Sequence, residues 1–183
     1  TEAEKQRSNL EKENVENKLA FLKHQVSPHF FMNTLNNIHS LIDFDTDEAK
    51  ASIIKLSKLM RYLLYETGEE KVLIVKEVEF IQSYVNLMKL RYSEKVKIDI
   101  EINEPIPNKK VHPMLFVSLI ENAFKYGISY QESSFVSIKM FFTESSLLFE
   151  IANSKPKNID PVDSSGVGMQ NTRNRLDLLY GKT

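Results

Sequence analysis

The sequence of 183 residues contains no cysteine and no tryptophan. The absence of cysteine excludes disulfide frameworks, thiolate metal sites, iron–sulfur clusters and cysteine nucleophiles. No apolar run approaches the roughly 18–20 residues that a membrane-spanning helix needs. An excess of charge of one sign is also missing, because 24 lysines and arginines oppose 25 aspartates and glutamates. This balance argues against a nucleic-acid-binding protein.

The composition is globular, with 42% hydrophobic and 27% charged residues, which is enough for one sizeable core or two small ones. Residues 1–23 are polar and contain neither glycine nor proline, and this predicts a linker or signalling helix. The spacing of Val15, Leu19, Leu22 and Val26 fits a short coiled coil, and an ordinary amphipathic helix explains it equally well. We interpret the chain as a portion of a larger protein.

Two amphipathic segments within residues 24–68 predict a helical hairpin. Their apolar positions repeat at helical spacing and are Phe31, Leu35, Ile38 and Ile42 in residues 29–42, and Ile53, Leu56, Met60 and Leu63 in residues 48–66. Pro28 either begins the first helix, with Ser27 as its N-cap, or kinks a longer one. An isolated hairpin cannot bury both of its faces, so we expect a second chain to cover it in a homodimer.

The remaining residues, 69–183, mix helices with strands. The predicted elements are helices at 77–92, 113–127 and about 169–180, and strands at 96–102, 135–143 and 146–153. Pro113 opens the second of these helices and Gly127 ends it. This order predicts an α+β fold in which a mixed sheet carries helices on one face. We expect the complete sheet to need a further strand after the last helix.

His29 is the first candidate for chemistry. It stands between Pro28 and Phe30, and a proline at the start of a helix can turn the next side chain outward. Asn33 follows four residues later and lies on the same helix face. An imidazole can act as a nucleophile near neutral pH, although a histidine considered alone is more often structural.

Asn122 and Lys125 form a second candidate pair, on the apolar helix. An amide inside such a helix needs a partner, and Lys125 lies three residues later on roughly the same face. An amide oxygen and an ammonium group suit a magnesium ion and phosphate oxygens; a hydrogen-bonded core amide is the alternative. Gly166 and Gly168 precede the last helix and let backbone N–H groups approach phosphates, and loop flexibility alone also explains them.

Five segments in this order resemble the LytS/YehU type of sensor histidine kinase. They are QVSPHFFMNTLNNI at 25–38, LMRY at 59–62, YVNLMKLRY at 84–92, LIENAFKYG at 119–127 and GVGMQNTRNRL at 166–176. The resemblance implies a dimerising, histidine-bearing hairpin over 24–68 and a Bergerat (GHKL) ATP-binding sandwich over 69–183 that lacks its last strand. It also implies that a phosphoryl group passes from ATP to a histidine and then to an aspartate of a response regulator.

The same resemblance implies roles for individual residues. His29 would accept the phosphoryl group with Asn33 beside it, and Asn122 would bind magnesium together with the phosphates of ATP. Both glycines would belong to a flexible lid over the nucleotide. The residues implied to contact ATP are Asn122, Lys125, Asn153, Gly166, Gly168 and Asn171. Any sensor or membrane segment would precede residue 1, so we expect the cytoplasmic portion of a membrane protein.

Four positions depart from patterns that are frequent among related ATP sites. Asn153 stands where many of them carry an adenine-reading aspartate, and Tyr126 stands where a histidine is frequent. Phe30 follows the histidine where many histidine kinases carry an acid, which leaves the group that orients the imidazole unnamed. Ser118, one turn before Asn122, is not the glutamate with which ATPases of this fold activate water, and this argues against simple ATP hydrolysis. Asn153 motivates an alternative function, a catalytically decayed pseudokinase that serves as a dimeric signalling scaffold.

Overall fold

The computed structural model describes Gln6, residues 26–155 and residues 167–181, with the backbone alone for 167–171. The helices are α1 (Pro28–Leu41), α2 (Thr46–Arg61), α3 (Ile74–Lys89), α4 (Val117–Gly127) and α5 (Val167–Tyr180), and the strands are β1 (Val72–Leu73), β2 (Val96–Ile102), β3 (Lys110–Val111), β4 (Ser134–Phe142) and β5 (Leu147–Asn153). Apart from Gln6, the predicted helix over 1–23 lies outside the described residues. None of the helices described is long and apolar enough to cross a bilayer.

The architecture is α+β, with a mixed three-stranded sheet in the order β2–β4–β5. Strand β4 pairs in parallel with β2 and antiparallel with β5, from Val96 opposite Ser134 to Phe142 opposite Leu147. Helix α4 packs against β4 and β5, and α5 packs against α4. The predicted mixed sheet is therefore confirmed. The sequence missed the antiparallel pair β1–β3, because strands of two residues are too short to show periodicity.

Helix α4 begins at Val117 and not at Pro113, which corrects the predicted start. Met114 adopts a φ of 61°, and this left-handed conformation cannot continue a right-handed helix. The carbonyl oxygens of Pro113 and Met114 each accept a hydrogen bond of 3.1 Å from the Arg175 guanidinium of α5. A contact from a distant helix therefore replaces the first turn that the proline favours. The predicted end at Gly127 is confirmed.

The hairpin of α1 and α2 buries only part of the predicted apolar stripe. Among the predicted positions, Ile38, Leu56 and Leu63 are buried, whereas Leu35, Ile42, Ile53 and Met60 are 46–51% exposed. The buried faces are instead completed by Phe30, Thr34, Ala49, Ser52 and Leu59. Helix α3 of the same chain covers this side of α2. The hairpin therefore has one face packed within its own chain and a second apolar face in solvent.

A row of stacked aromatic rings fastens the hairpin to α3. Phe30 of α1 stacks on Tyr84 with ring centroids 4.6 Å apart, and Tyr84 in turn lies 6.2 Å from Phe80. Phe80 stacks at 4.7 Å on Tyr62, in a π-helical turn that extends α2. All four rings are buried, and such ring pairs contribute about 0.5–1.5 kcal/mol each beyond the burial of their area. This row positions the start of α1 relative to α3.

Glu77, in the first turn of α3, is a buried carboxyl group at the junction of several elements. It accepts hydrogen bonds from the Tyr62 hydroxyl and, at 3.1 Å, from the backbone N–H of Met114. Burial raises the pKa of Glu77, and the hydrogen bonds from Tyr62 and Met114 and the charge of Arg175 lower it in part. The net shift is upward, so the folded protein binds the Glu77 proton more tightly than the unfolded chain does.

Glu77→Gln is expected to change how stability depends on pH. Because the pKa of Glu77 is raised in the folded state, its protonation stabilises the fold at low pH, and this contribution is lost as the pH rises through the folded pKa. Each pKa unit corresponds to roughly 1.4 kcal/mol. Urea unfolding of both proteins between about pH 4 and about pH 8 should therefore show that the free energy of unfolding of the wild type falls as the pH rises. The variant should lack this fall. Parallel curves for the two proteins would contradict this account of Glu77.

Candidate functional site

A cleft of about 510 Å³ lies between the start of α1, the end of α3 and helix α4. Its lining residues are Ser27, His29, Phe30, Asn33, Tyr84, Met88, Arg91, Tyr92, Glu121, Asn122, Phe124, Lys125, Ile128 and Tyr130. Both candidate pairs from the sequence are in this set, although about ninety positions separate them along the chain. The fold therefore brings His29 and Asn33 to the same cleft as Asn122 and Lys125.

His29 occupies the first turn of α1, where its side chain is exposed to the cleft. The helix begins at Pro28, and the Ser27 side chain makes no capping hydrogen bond. The Ser27 backbone N–H instead donates to the Glu121 Oε1 atom of α4, at 3.4 Å. Asn33 is half-buried one turn further along the same helix. The accessible imidazole excludes a buried structural histidine at position 29.

Glu121 is the carboxylate of the cleft that sequence reasoning did not single out. Its Oε1 atom accepts from Ser27 N–H and from the Tyr84 hydroxyl, each at 3.4 Å. Burial raises the pKa of Glu121, and the two hydrogen bonds lower it in part. The segment 119–127 contained this residue, but its contact with Ser27 spans 94 positions and has no local sequence signal.

Asn122 and Lys125 present polar atoms to the cleft from the second half of α4. Asn122 is half-buried and Lys125 is exposed, and both line the cleft. The Lys125 Nζ atom lies 4.9 Å from the centroid of the Tyr126 ring. In the described part of the chain, no group of three or more histidine, aspartate and glutamate side chains could hold a metal ion.

An aromatic wall with one arginine closes another side of the cleft. The Tyr92 ring lies 6.0 Å from Phe124, in a stacked geometry, and 6.0 Å from Tyr130. The Arg91 guanidinium lies 5.7 Å from the Tyr92 ring centroid. Burial raises the pKa of Tyr92, which keeps its hydroxyl protonated at neutral pH. The segment 84–92 contained Arg91 and Tyr92, but no site role was assigned to either of them.

Asn153, at the end of β5, lies against the end of α4 and does not line this cleft. A Cβ atom placed on Gly127 would be only 2.5 Å from Asn153 Cβ, so the two segments approach as closely as a glycine permits. The Asn153 Nδ2 atom donates to the carbonyl oxygen of Ser154 at 2.7 Å. The structure thus brings Asn153 to the C-terminal end of α4, the helix that carries Asn122 and Lys125.

The remaining predicted nucleotide contacts are in the region around α5. Gly166 and the side chain of Asn171 lie outside the described residues, while Gly168 is in the first turn of α5. That helix begins at Val167, two residues before the predicted start. In the same helix the Thr172 hydroxyl is 2.8 Å from the Ser118 hydroxyl of α4, so Ser118 contacts α5.

Comparisons with known proteins agree with the motifs. A family model described as "Histidine kinase" matches residues 17–96. The sensor protein LytS of Oceanobacillus iheyensis is 26% identical over 196 residues, which cover 99% of this chain and 33% of the relative. LytS of Streptococcus mutans is 29% identical over 175 residues, which cover 87% of this chain and 30% of the relative. The chain is a relative of the LytS-type sensor histidine kinases. The sensor protein kinase HptS of Staphylococcus aureus is also similar, at 26% identity over 173 residues, with 87% and 33% coverage.

The chain spans about a third of the length of these relatives. The family match from 17 to 96 includes His29, Asn33 and the Arg91–Tyr92 pair, and it ends before Glu121 and Asn122. The LytS proteins match over a longer stretch, which covers nearly the whole chain in the Oceanobacillus protein. Both halves of the cleft therefore lie within the similarity to LytS.

Proposed function

We propose that this chain is the kinase core of a sensor histidine kinase, which transfers the γ-phosphoryl group of ATP to His29. The group then passes to an aspartate of a response regulator. One observation carries the proposal: the accessible imidazole of His29 shares a cleft with the amide of Asn122 and the ammonium group of Lys125. The similarity to LytS and HptS supports the same conclusion.

The cleft residues suit phosphoryl transfer, in which catalysis is mostly positioning and neutralisation of charge. A ring nitrogen of His29 attacks the γ-phosphorus, the bond from phosphorus to the bridging oxygen breaks, and ADP leaves with the electron pair. Lys125 and Arg91 place two positive charges in the cleft, and these charges would attract the negative phosphate oxygens of ATP. Arg91 is held at 5.7 Å from the Tyr92 ring, which restricts the position of its guanidinium group.

Magnesium and the nucleotide lid complete the proposed site. The amide oxygen of Asn122 would be a ligand of magnesium, with phosphate oxygens as further ligands. When bound, magnesium neutralises charge on the phosphates. Gly166 and Gly168 would belong to a lid over the triphosphate, with Asn171 close by, and Asn153 would accept a hydrogen bond from the adenine amino group. We propose that residues 69–183 belong to a Bergerat-type ATP-binding domain.

We further propose that the hairpin over 24–68 dimerises through its exposed apolar face. Its exposed apolar side chains are Met32, Leu35, Ile42, Phe44, Ile53, Ile54 and Met60. Apolar side chains that cluster in solvent are typical of protein interfaces. A preceding segment, with residues 1–23 as the linker, would connect the core to a membrane sensor and leave the core in the cytoplasm.

Incubation with γ-labelled ATP and magnesium tests the kinase proposal. We expect a label on the protein that is lost in acid and retained in alkali, because a phosphorylated imidazole has this stability. His29→Gln should reduce the label to background, since the amide is not a nucleophile. His39→Gln is the matched control, because His39 is exposed on the same helix, and it should label like the wild type. An unlabelled wild type, or equal label in His29→Gln, would contradict the proposal.

A dimeric scaffold with a decayed nucleotide site is the second candidate. Asn153, which stands in place of an acid, favours it, because the charge-assisted hydrogen bond to adenine is absent. Calorimetry with a non-hydrolysable ATP analogue separates the two functions. Micromolar, magnesium-dependent binding supports the kinase and excludes a scaffold without a nucleotide site, whereas the absence of heat at millimolar analogue supports the scaffold.

A further inference from the structure

We propose that Tyr62 and Glu77 are positioning residues, which hold the histidine hairpin against the nucleotide groups and thereby set the rate of phosphoryl transfer to His29. The inference rests on the proposed kinase function and goes beyond it, because that function gives no role to Tyr62, the last residue of the motif LMRY at 59–62. Neither Tyr62 nor Glu77 lines the cleft of His29. Both residues therefore act through the groups that they contact.

A buried hydrogen bond joins the hairpin to the part of the chain that follows it. Tyr62 lies in the π-helical turn that extends α2, and Glu77 lies in the first turn of α3. The Tyr62 hydroxyl donates to the Glu77 Oε2 atom, and both side chains are buried. Burial and the neighbouring Glu77 raise the pKa of Tyr62, so the hydroxyl keeps the proton that it donates. Loss of either partner leaves the other buried without its hydrogen bond, which is costly.

On the nucleotide side, Glu77 is tied to the start of the helix that carries Asn122 and Lys125. The Glu77 Oε2 atom also accepts from the backbone N–H of Met114, at 3.1 Å, and Met114 lies just before α4. The carbonyl oxygen of Met114 accepts from the Arg175 guanidinium at 3.1 Å. Met114 is thus held through both its N–H and its carbonyl group. The position of Glu77 is therefore fixed relative to α4.

On the hairpin side, the row of stacked rings leads from Tyr62 to the residue next to His29. Its successive centroid distances are 4.7 Å from Tyr62 to Phe80, 6.2 Å from Phe80 to Tyr84, and 4.6 Å from Tyr84 to Phe30. Closely packed side chains transmit displacements to one another. A shift of Tyr62 therefore moves the start of α1, and a misplacement of about 1 Å can lower the rate of a reaction about 100-fold.

Tyr62→Phe removes the hydroxyl group and keeps the ring in its stack. We expect the initial rate of labelling of the full-length protein at saturating ATP to fall about 10- to 100-fold, after correction for the folded fraction measured by urea unfolding. The affinity for an ATP analogue should change by less than about twofold, because Tyr62 does not line the cleft. Tyr65→Phe is the matched control, since Tyr65 is exposed in the same π-helical turn, and it should label at the wild-type rate.

Variants of Glu77 test whether the two residues act together. Glu77→Leu removes the acceptor of both hydrogen bonds and should slow labelling as Tyr62→Phe does. Glu77→Gln keeps an oxygen that can accept from Tyr62 and from Met114, so its rate should be at least about tenfold above that of Glu77→Leu. The double variant Tyr62→Phe/Glu77→Leu should label no more slowly than the slower single variant, because both substitutions break one contact. Independent effects on the rate would multiply instead. If Glu77→Leu does not fold, Tyr62→Phe and its control decide the proposal.

The outcomes separate this inference from the kinase function. A labelled wild type together with a wild-type rate in Tyr62→Phe overturns the positioning role and leaves the kinase function intact. A slow Tyr62→Phe whose affinity for the ATP analogue falls in proportion also overturns it, because the effect then lies in nucleotide binding. A wild type that takes no label overturns the kinase proposal itself.

Discussion

Replacement of Asn122 by alanine is expected to abolish labelling of the protein by ATP and to remove the magnesium dependence of nucleotide binding. The amide of Asn122 lines the cleft that also contains His29 and Lys125, and it is the proposed protein ligand of magnesium. Hydrogen bonds and contacts to charged groups contribute about 1.5–3 kcal/mol each. The affinity for an ATP analogue should therefore fall about 10- to 100-fold, and labelling should fall further because the phosphates are no longer positioned.

Asn108→Ala is the matched control for this variant. Asn108 is exposed in the loop between β2 and β3 and does not line the cleft, so its loss should leave both the affinity and the label unchanged. Calorimetry with and without magnesium measures the first quantity, and the initial rate of labelling measures the second. Magnesium-dependent binding that persists unchanged in Asn122→Ala would show that α4 does not hold the metal.

Gly127→Ala should strongly destabilise the protein through a single methyl group. The new Cβ atom would lie 2.5 Å from Asn153 Cβ and 2.7 Å from Asn153 Nδ2, well inside van der Waals contact. Overpacking of this kind typically costs about 1–3 kcal/mol, and here it also pushes the end of β5 away from the helix that carries Asn122. Urea unfolding should show the loss of stability, and calorimetry should show weaker binding of the ATP analogue.

A double variant tests whether that contact is the cause. Asn153→Gly removes every Asn153 atom that the new methyl group would approach. In this background Gly127→Ala should cost nothing in stability, or even stabilise the helix, because alanine favours helix over glycine. The coupling between the two substitutions should thus be about as large as the cost of Gly127→Ala alone. If the effects of the two substitutions on the free energy of unfolding are additive, the contact with Asn153 is not the cause of the destabilisation.

The regular elements were the most predictable part of the fold. The strict alternation at 96–102 predicted strand β2 with the ends that the structure shows. Successive side chains of a strand point to opposite faces, so a half-buried strand alternates apolar and polar residues. The start of α4 was not predictable. It depends on the left-handed backbone conformation of Met114. It also depends on Arg175, about sixty residues away on α5, which donates hydrogen bonds to the carbonyl oxygens of Pro113 and Met114. This tertiary contact outweighs the local preference for proline at the start of a helix.

The hairpin faces illustrate a different limit. Leu35 and Ile38 both fit the predicted apolar stripe of α1, yet the structure buries Ile38 and leaves Leu35 51% exposed. Periodicity marks which positions are apolar, but it does not say which of two apolar faces packs within the chain. Thr34 is fully buried on that inner face, and a polar residue gives no such signal in a hydrophobic pattern.

The candidate site was predictable where motifs carried it and not where it depends on distant contacts. His29, Asn33, Asn122 and Lys125 were singled out from the sequence, and the structure places all four on one cleft. The position of Glu121 in the cleft depends on its hydrogen bond from Ser27 N–H, and no spacing along the chain predicts a contact between residues so far apart.

The central claim is that His29 receives the phosphoryl group of ATP. Its most direct test is mass spectrometry of the full-length protein after incubation with ATP and magnesium, digested at alkaline pH so that phosphohistidine survives. We predict one phosphorylated peptide, with the modification on His29 and none on His24, His39 or His112. A phosphoryl group on another histidine, or on a serine, threonine or tyrosine with His29 unmodified, would contradict the account.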